Sequence, residues 1–149
     1  MRLVVDASTL VAEVLRVRGR KLLTHPALDL AVAADAWSEA EHELRKRVAL
    51  LIKRGHLEAA AAGELLDAAV ASIANRAILA PRETYAGHLE EALRRVPRDP
   101  RDAPTVALAL AMECGIWAGD FDYFGCGVPV WTTATLRAHL ETGGDTSLR

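Results

Sequence analysis

Leu3-Val4-Val5-Asp6-Ala7-Ser8-Thr9-Leu10-Val11 is the stretch that decides the fold. Its first three residues form an apolar run without alternation, the pattern of a strand buried on both faces. Asp6-Ala7-Ser8-Thr9 then reads as a strand-to-helix turn, with Asp6 or Ser8 placed to cap the helix that carries Leu10, Val11, Val14 and Leu15. Gly19 is expected to break that helix, and Lys21 to His25 to add a short helical turn stopped by Pro26.

The rest of the chain repeats this alternation. Leu28 to Ala33 reads as a second strand. A helix follows from about Ala36 to Lys53, because Trp37, Ala40, Leu44, Val48 and Leu51 recur every three or four residues. Gly55 ends it, and Leu57 to Asn75 returns as the second arm of a helical hairpin. Ala77-Ile78-Leu79-Ala80 reads as a third strand and Tyr85 to Val96 as a helix. Asp102 precedes Pro104 and Thr105 at the start of a helix that Gly115 is expected to cap. Ile116-Trp117-Ala118 and Val128-Pro129-Val130-Trp131 read as the fourth and fifth strands, and Thr133 to Leu140 as a closing helix.

Strands alternating with helices imply a parallel sheet of about five strands covered on both faces. The 149 residues suit one domain, taken as 1–142, with a mobile tail at 143–149. About two-thirds of the unfolded surface is buried at this length, so the chain needs no disulfide staple. Apolar residues make up 51% of it, which excludes a largely disordered chain. No apolar run approaches the roughly 20 residues of a spanning helix, and the N-terminus is no signal peptide. The expectation is a soluble, cytoplasmic protein with no membrane partner.

A net charge of −2 argues against one broad basic nucleic-acid face. Local basic clusters remain at Arg45-Lys46-Arg47, Lys53-Arg54, Arg94-Arg95 and Arg98 with Arg101. Cys114 and Cys126 lack a Cys-x-x-Cys spacing and read as small apolar residues rather than zinc ligands. The five histidines are scattered and form no metal motif.

Acidic residues carry the functional signal. Ligands of parallel sheets bind beyond the carboxyl ends of the strands. Asp6 and Asp120 lie at or just past strand ends, and Glu39 and Asp102 lie near helix starts at the same edge. Carboxylates gathered there repel one another unless a cation sits between them. Oxygen ligands without histidine or cysteine suit Mg²⁺ or Mn²⁺. Asp122 reads either as an auxiliary carboxylate or as a surface group, and Asp99 as a loop acid that orders its turn. Phe121, Tyr123 and Phe124 stand beside the acids as candidates for base stacking.

The ordered set resembles the PIN-domain family and is similar to the VapC-type toxin ribonucleases. The resemblance rests on Leu-Val-Val-Asp6-Ala-Ser, Trp-Ser-Glu39-Ala-Glu-His-Glu-Leu, Asp99-Pro-Arg-Asp102-Ala-Pro-Thr-Val-Ala-Leu-Ala-Leu and Ile-Trp-Ala-Gly-Asp120-Phe-Asp122-Tyr-Phe. It implies a three-layer α/β/α sandwich and metal-dependent cleavage of RNA. It assigns Asp6, Glu39, Asp102 and Asp120 to the catalytic and metal site, with Asp122 as a further metal ligand. It also implies a homodimer and a separate antitoxin protein. One departure is Ala118, where many members carry Ser or Thr; the hydroxyl is either missing here or supplied by Ser8 or Thr9. Spacing selects Glu39 as the family's glutamate, whereas the helical wheel places Glu41 nearer the apolar stripe and Glu43 shares a face with Glu39. The alternative function is a binding or scaffold protein that keeps the fold without nuclease chemistry. A phosphatase of Asp-x-Asp type ranks low, because Ser8 stands where its second acid belongs.

Overall fold

In the computed structural model, which describes residues 1–143, β1 (Arg2–Val5) is the central strand of a five-stranded, all-parallel sheet. Asp6 accepts a hydrogen bond from the Thr9 amide and caps α1 (Ala7–Val14). α2 (Val17–Leu23) leads to β2 (Asp29–Ala33), then to the long α3 (Ala34–Lys53) and its antiparallel return α4 (Ala59–Arg76). β3 (Ala77–Ala80) follows α4 without a loop. α5 (Arg82–Tyr85), a 3₁₀ turn over Ala86–His88 and α6 (Leu89–Arg95) come next. α7 (Ala103–Met112), β4 (Gly115–Trp117), β5 (Val130–Trp131) and α8 (Thr133–Gly143) complete the chain. The strand order is β3-β2-β1-β4-β5.

Alternation along β1 divides the core. Leu3 and Val5 pack with Leu10, Val14, Leu44, Ile73 and Leu136 on one face. Val4 packs on the other, with Val106, Leu108, Tyr85 and Ala92. These are the three layers expected of an α/β/α sandwich. α7 is buried around most of its circumference, which explains why its composition is apolar rather than amphipathic.

Two glycines play other parts than the sequence implied. Gly19 does not break a helix; α1 already ends at Val14, and Gly19 lies buried inside α2. A Cβ there would fall 2.1 Å from the Glu13 carbonyl oxygen, so α2 crosses α1 at a distance only glycine permits. Gly115 is not the cap of α7. Glu113 takes the left-handed conformation at φ 50°, and Gly115 opens β4, where a Cβ would meet the Pro129 oxygen at 3.1 Å and Leu3 at 3.2 Å. The expected helix from Tyr85 to Val96 is interrupted: Tyr85 ends α5, and a 3₁₀ turn intervenes before α6. Of the expected tail at 143–149, Gly143 closes α8 and the remainder lies outside the described residues. Among the described residues, no helix is long and apolar enough to cross a membrane.

Candidate metal centre and active site

The cleft opens where topology requires, beyond the carboxyl ends of β1 and β4. It encloses about 280 Å³ and is lined by Asp6, Ser8, Glu39, Glu43, Asp99, Arg101, Asp102, Thr105 and Asp120, among others.

Asp6 forms its floor and is 5% exposed. Its Oδ2 accepts from Ser8 Oγ at 2.6 Å, the Thr9 amide at 3.0 Å and Thr9 Oγ1 at 3.1 Å. Its Oδ1 accepts from the Tyr123 hydroxyl at 2.6 Å. Thr9 Oγ1 also accepts from the Gly119 amide at 2.9 Å, which ties the end of β4 to the start of α1. Thus hydroxyls from Ser8 and Thr9 stand at the site, while Ala118 is buried.

Asp102 immediately precedes α7 but does not cap it through its side chain. The carboxylate turns into the cleft instead. Oδ1 lies 3.1 Å from the Tyr123 hydroxyl, and Oδ2 is buried with no hydrogen-bond partner. Burial, with the negative charges of Asp6, Asp99 and Asp120, pushes Asp102 up to about 6, against the lowering effect of the Tyr123 hydrogen bond. One oxygen from each of Asp102, Asp120 and Asp122 lies within 4.8 Å of the others. Asp120 also accepts from the Asp122 amide at 2.9 Å, holding a 3₁₀ turn over Phe121–Tyr123.

Glu39 stands across the cleft. It is exposed, and its carboxylate faces Arg101 Nη1 at 3.5 Å. Arg101 also bonds Asp99 at 2.9 Å, and that pairing holds the Asp99 carboxyl below its ordinary range. Glu43 lines the cleft too, paired with Arg47 at 3.2 Å. Glu41 is not among the lining residues; it bonds Arg45 at 2.8 Å. α3 begins at Ala34, so Glu39 lies in its second turn rather than its first, and the cleft is met by the helix face that carries Ala36, Glu39, Ala40 and Glu43 and leaves Glu41 aside.

The structure therefore brings Asp6, Asp102 and Asp120 into one region, with Asp122 beside them and Glu39 opposite. The sequence missed the part of Tyr123. It was a stacking candidate, yet it is fully buried and bridges Asp6 to Asp102. Burial and the adjacent Asp6 charge drive its hydroxyl far above the usual range, so it remains a proton donor. The signal lay in Asp120-Phe-Asp-Tyr: a tight turn swings the fourth residue back under the first. Of the basic clusters, Arg47 and Arg101 reach the cleft, whereas Arg94 and Arg95 are engaged by Glu90 and Glu91.

The architectural class is an all-parallel α/β/α sandwich with an acidic cleft at the strand ends. The comparison with known families narrows it: the PIN domain matches residues 4–141, and the chain belongs to that family. Its members are generally nucleases. Among solved structures, the chain is similar to FitAcB from Neisseria gonorrhoeae, with 22% identity and a TM-score of 0.52, over 88% of this chain and 96% of that one. At that identity the likeness concerns the fold. No curated protein matches the chain.

Proposed function

We propose that this PIN domain is an endoribonuclease dependent on Mg²⁺ or Mn²⁺, with Asp6, Glu39, Asp102 and Asp120 as its catalytic set and Asp122 as an added ligand. The observation that carries this reading is the buried, unpartnered Oδ2 of Asp102 beside Asp120 and Asp122. A buried carboxylate oxygen without a donor is costly. A hard cation satisfies it and the neighbouring carboxylates together. The donor set is all oxygen, so residues and ion fit.

Bound there, a divalent cation would supply charge to a scissile phosphate and lower the pKa of a water. The chain's own groups do the rest. Ser8, Thr9 and Tyr123 hold Asp6 rigidly, so its carboxylate needs no reorganisation. Asp102, raised to about 6 by burial and neighbouring carboxylates, would be held ionised once a cation is bound, so proton release accompanies ion binding. Arg47 and Arg101 at the rim are positioned to meet the backbone of a polyanion.

The resemblance to VapC-type proteins supports a toxin role, in the cytoplasm, with a separate antitoxin protein, and a homodimer of domains spanning 1–142. The first helix offers little apolar face for such contacts, because Leu10, Val11 and Val14 are buried. Leu50 and Ile52 on α3, and Ile78 and Leu79 on the edge strand β3, are exposed and better placed.

Cleavage of labelled RNA by the purified chain, with Mn²⁺ or with EDTA, tests the reading. The expected result is ion-dependent cleavage that Asp6→Asn abolishes while the circular dichroism spectrum is kept. Equal turnover by wild type and Asp6→Asn would remove the assignment and leave a binding or scaffold domain.

A further inference from the structure

The chain has two phenylalanines and two tyrosines, and it sorts them against their polarity. Tyr85 and Tyr123 are fully buried, whereas Phe121 is 78% and Phe124 51% exposed. If burial of apolar surface alone decided, the phenylalanines would be inside. They instead flank the candidate metal centre. Phe121 lies between Asp120 and Asp122 in the same 3₁₀ turn, and Phe124 follows it. The turn is held by the Asp120 carboxylate and the buried Tyr123, so both rings project from a fixed base.

We infer that Phe121 and Phe124 form a stacking platform for an unpaired nucleobase of the RNA, adjacent to the phosphate held at the carboxylate cluster. This inference deepens the nuclease reading above and rests on it for the identity of the ligand. The ring centroids are 5.6 Å apart with planes tilted by 39°. That spacing is less than two stacking distances of about 3.4 Å, so no base fits between the rings. Phe124 braces Phe121, whose outer face is open. Charge sorts the ligand's parts. A cation held by Asp120 and Asp122 would draw the phosphate, while the uncharged ring face of Phe121 beside them suits the base attached to it. Arg98, 81% exposed at the side chain and 3.5 Å from Asp122, is placed to take a flanking phosphate. Bases of a duplex are stacked on one another, so the platform selects single-stranded segments, loops or ends.

The test uses the full chain and an oligoribonucleotide carrying 2-aminopurine, single-stranded or annealed to its complement. Binding is read by fluorescence in Ca²⁺ and cleavage kinetics in Mn²⁺. The variants are Phe121→Ala with Phe124→Ala, and Phe121→Trp. Because both rings are exposed, thermal unfolding of each variant is expected to match wild type. The wild type should bind the single strand preferentially and change its fluorescence. The double alanine variant should lose that change and raise KM roughly five- to a hundredfold with kcat little altered. Phe121→Trp should retain or tighten binding. Cleavage by wild type with unchanged KM in the double variant would overturn the platform and leave the nuclease intact. Phenylalanine-dependent binding without cleavage by wild type would uphold the platform and overturn the nuclease. An RNA affinity and fluorescence change fully kept in the double alanine variant would likewise overturn the inference and leave the patch free for a protein contact.

Discussion

The Tyr123 hydroxyl donates to Asp6 Oδ1 at 2.6 Å across 117 residues of sequence, and lies 3.1 Å from Asp102 Oδ1. It links the end of β1 to the start of α7 at the floor of the cleft. Tyr123→Phe keeps the ring and removes the donor. The expected cost is about 1–2 kcal/mol, because Asp6 retains its bonds from Ser8 and Thr9. Urea denaturation in EDTA measures it, and a loss below about 0.3 kcal/mol would mean that the bond contributes nothing net.

Asp102 links stability to pH. Folded and free of metal it titrates at about 6, against its ordinary 3.8, so the folded state holds the extra proton between those values. Stability contributed by this group is therefore lost as pH rises from about 4 to about 6. Asp102→Asn should remove that slope and stabilise the metal-free protein at pH 7 by ~1–2 kcal/mol, after discounting for partial exposure. The difference between wild-type and variant unfolding curves at pH 4.5 and pH 7 checks it. Mn²⁺ should raise the wild-type Tm more at pH 7 than at pH 5, and raise that of Asp102→Asn far less.

Arg101 faces Glu39 and Asp99 as a tethered cation. Arg101→Ala should change stability by less than about 1 kcal/mol, since these pairs are solvent-exposed. It should tighten Mn²⁺ binding severalfold, because the carboxylates lose a competing positive charge. Titration calorimetry separates the two effects, and weaker Mn²⁺ binding by the variant would show that Arg101 instead organises the ligands.

The glutamates of α3 are separable by substitution. Glu39→Gln should lower ion-dependent cleavage by tenfold or more, whereas Glu41→Gln, bonded to Arg45 away from the cleft, should leave it within about twofold. A larger effect at Glu41 would reverse the assignment.

Gly19→Ala places a methyl group 2.1 Å from the Glu13 carbonyl oxygen. Backbone cannot yield as a flexible side chain does. A loss of about 3 kcal/mol is expected in denaturant unfolding, and a value below 1 kcal/mol would mean that α2 shifts freely on α1.

The local alphabet of this chain was legible without coordinates. Uninterrupted apolar runs at Leu3-Val4-Val5 and Ile116-Trp117-Ala118 mark strands covered on both faces, and the stripe from Trp37 to Leu51 marks a helix lying on them. Chain direction does the rest, since a right-handed crossover from each strand brings Asp6, Asp102 and Asp120 to one edge. Periodicity and topology act over a few residues or over whole elements, and both can be read along a line. What only the tertiary structure decided depends on atoms meeting across the chain. That Gly19 is a crossing point and not a break depends on Glu13 of another helix. That Tyr123 lies inside while Phe121 stays outside depends on a turn that Asp120 holds. That Glu39 and not Glu41 faces the cleft depends on where α3 leaves the sheet. Such choices turn on differences of an ångström or a few kcal/mol, which composition and spacing do not encode.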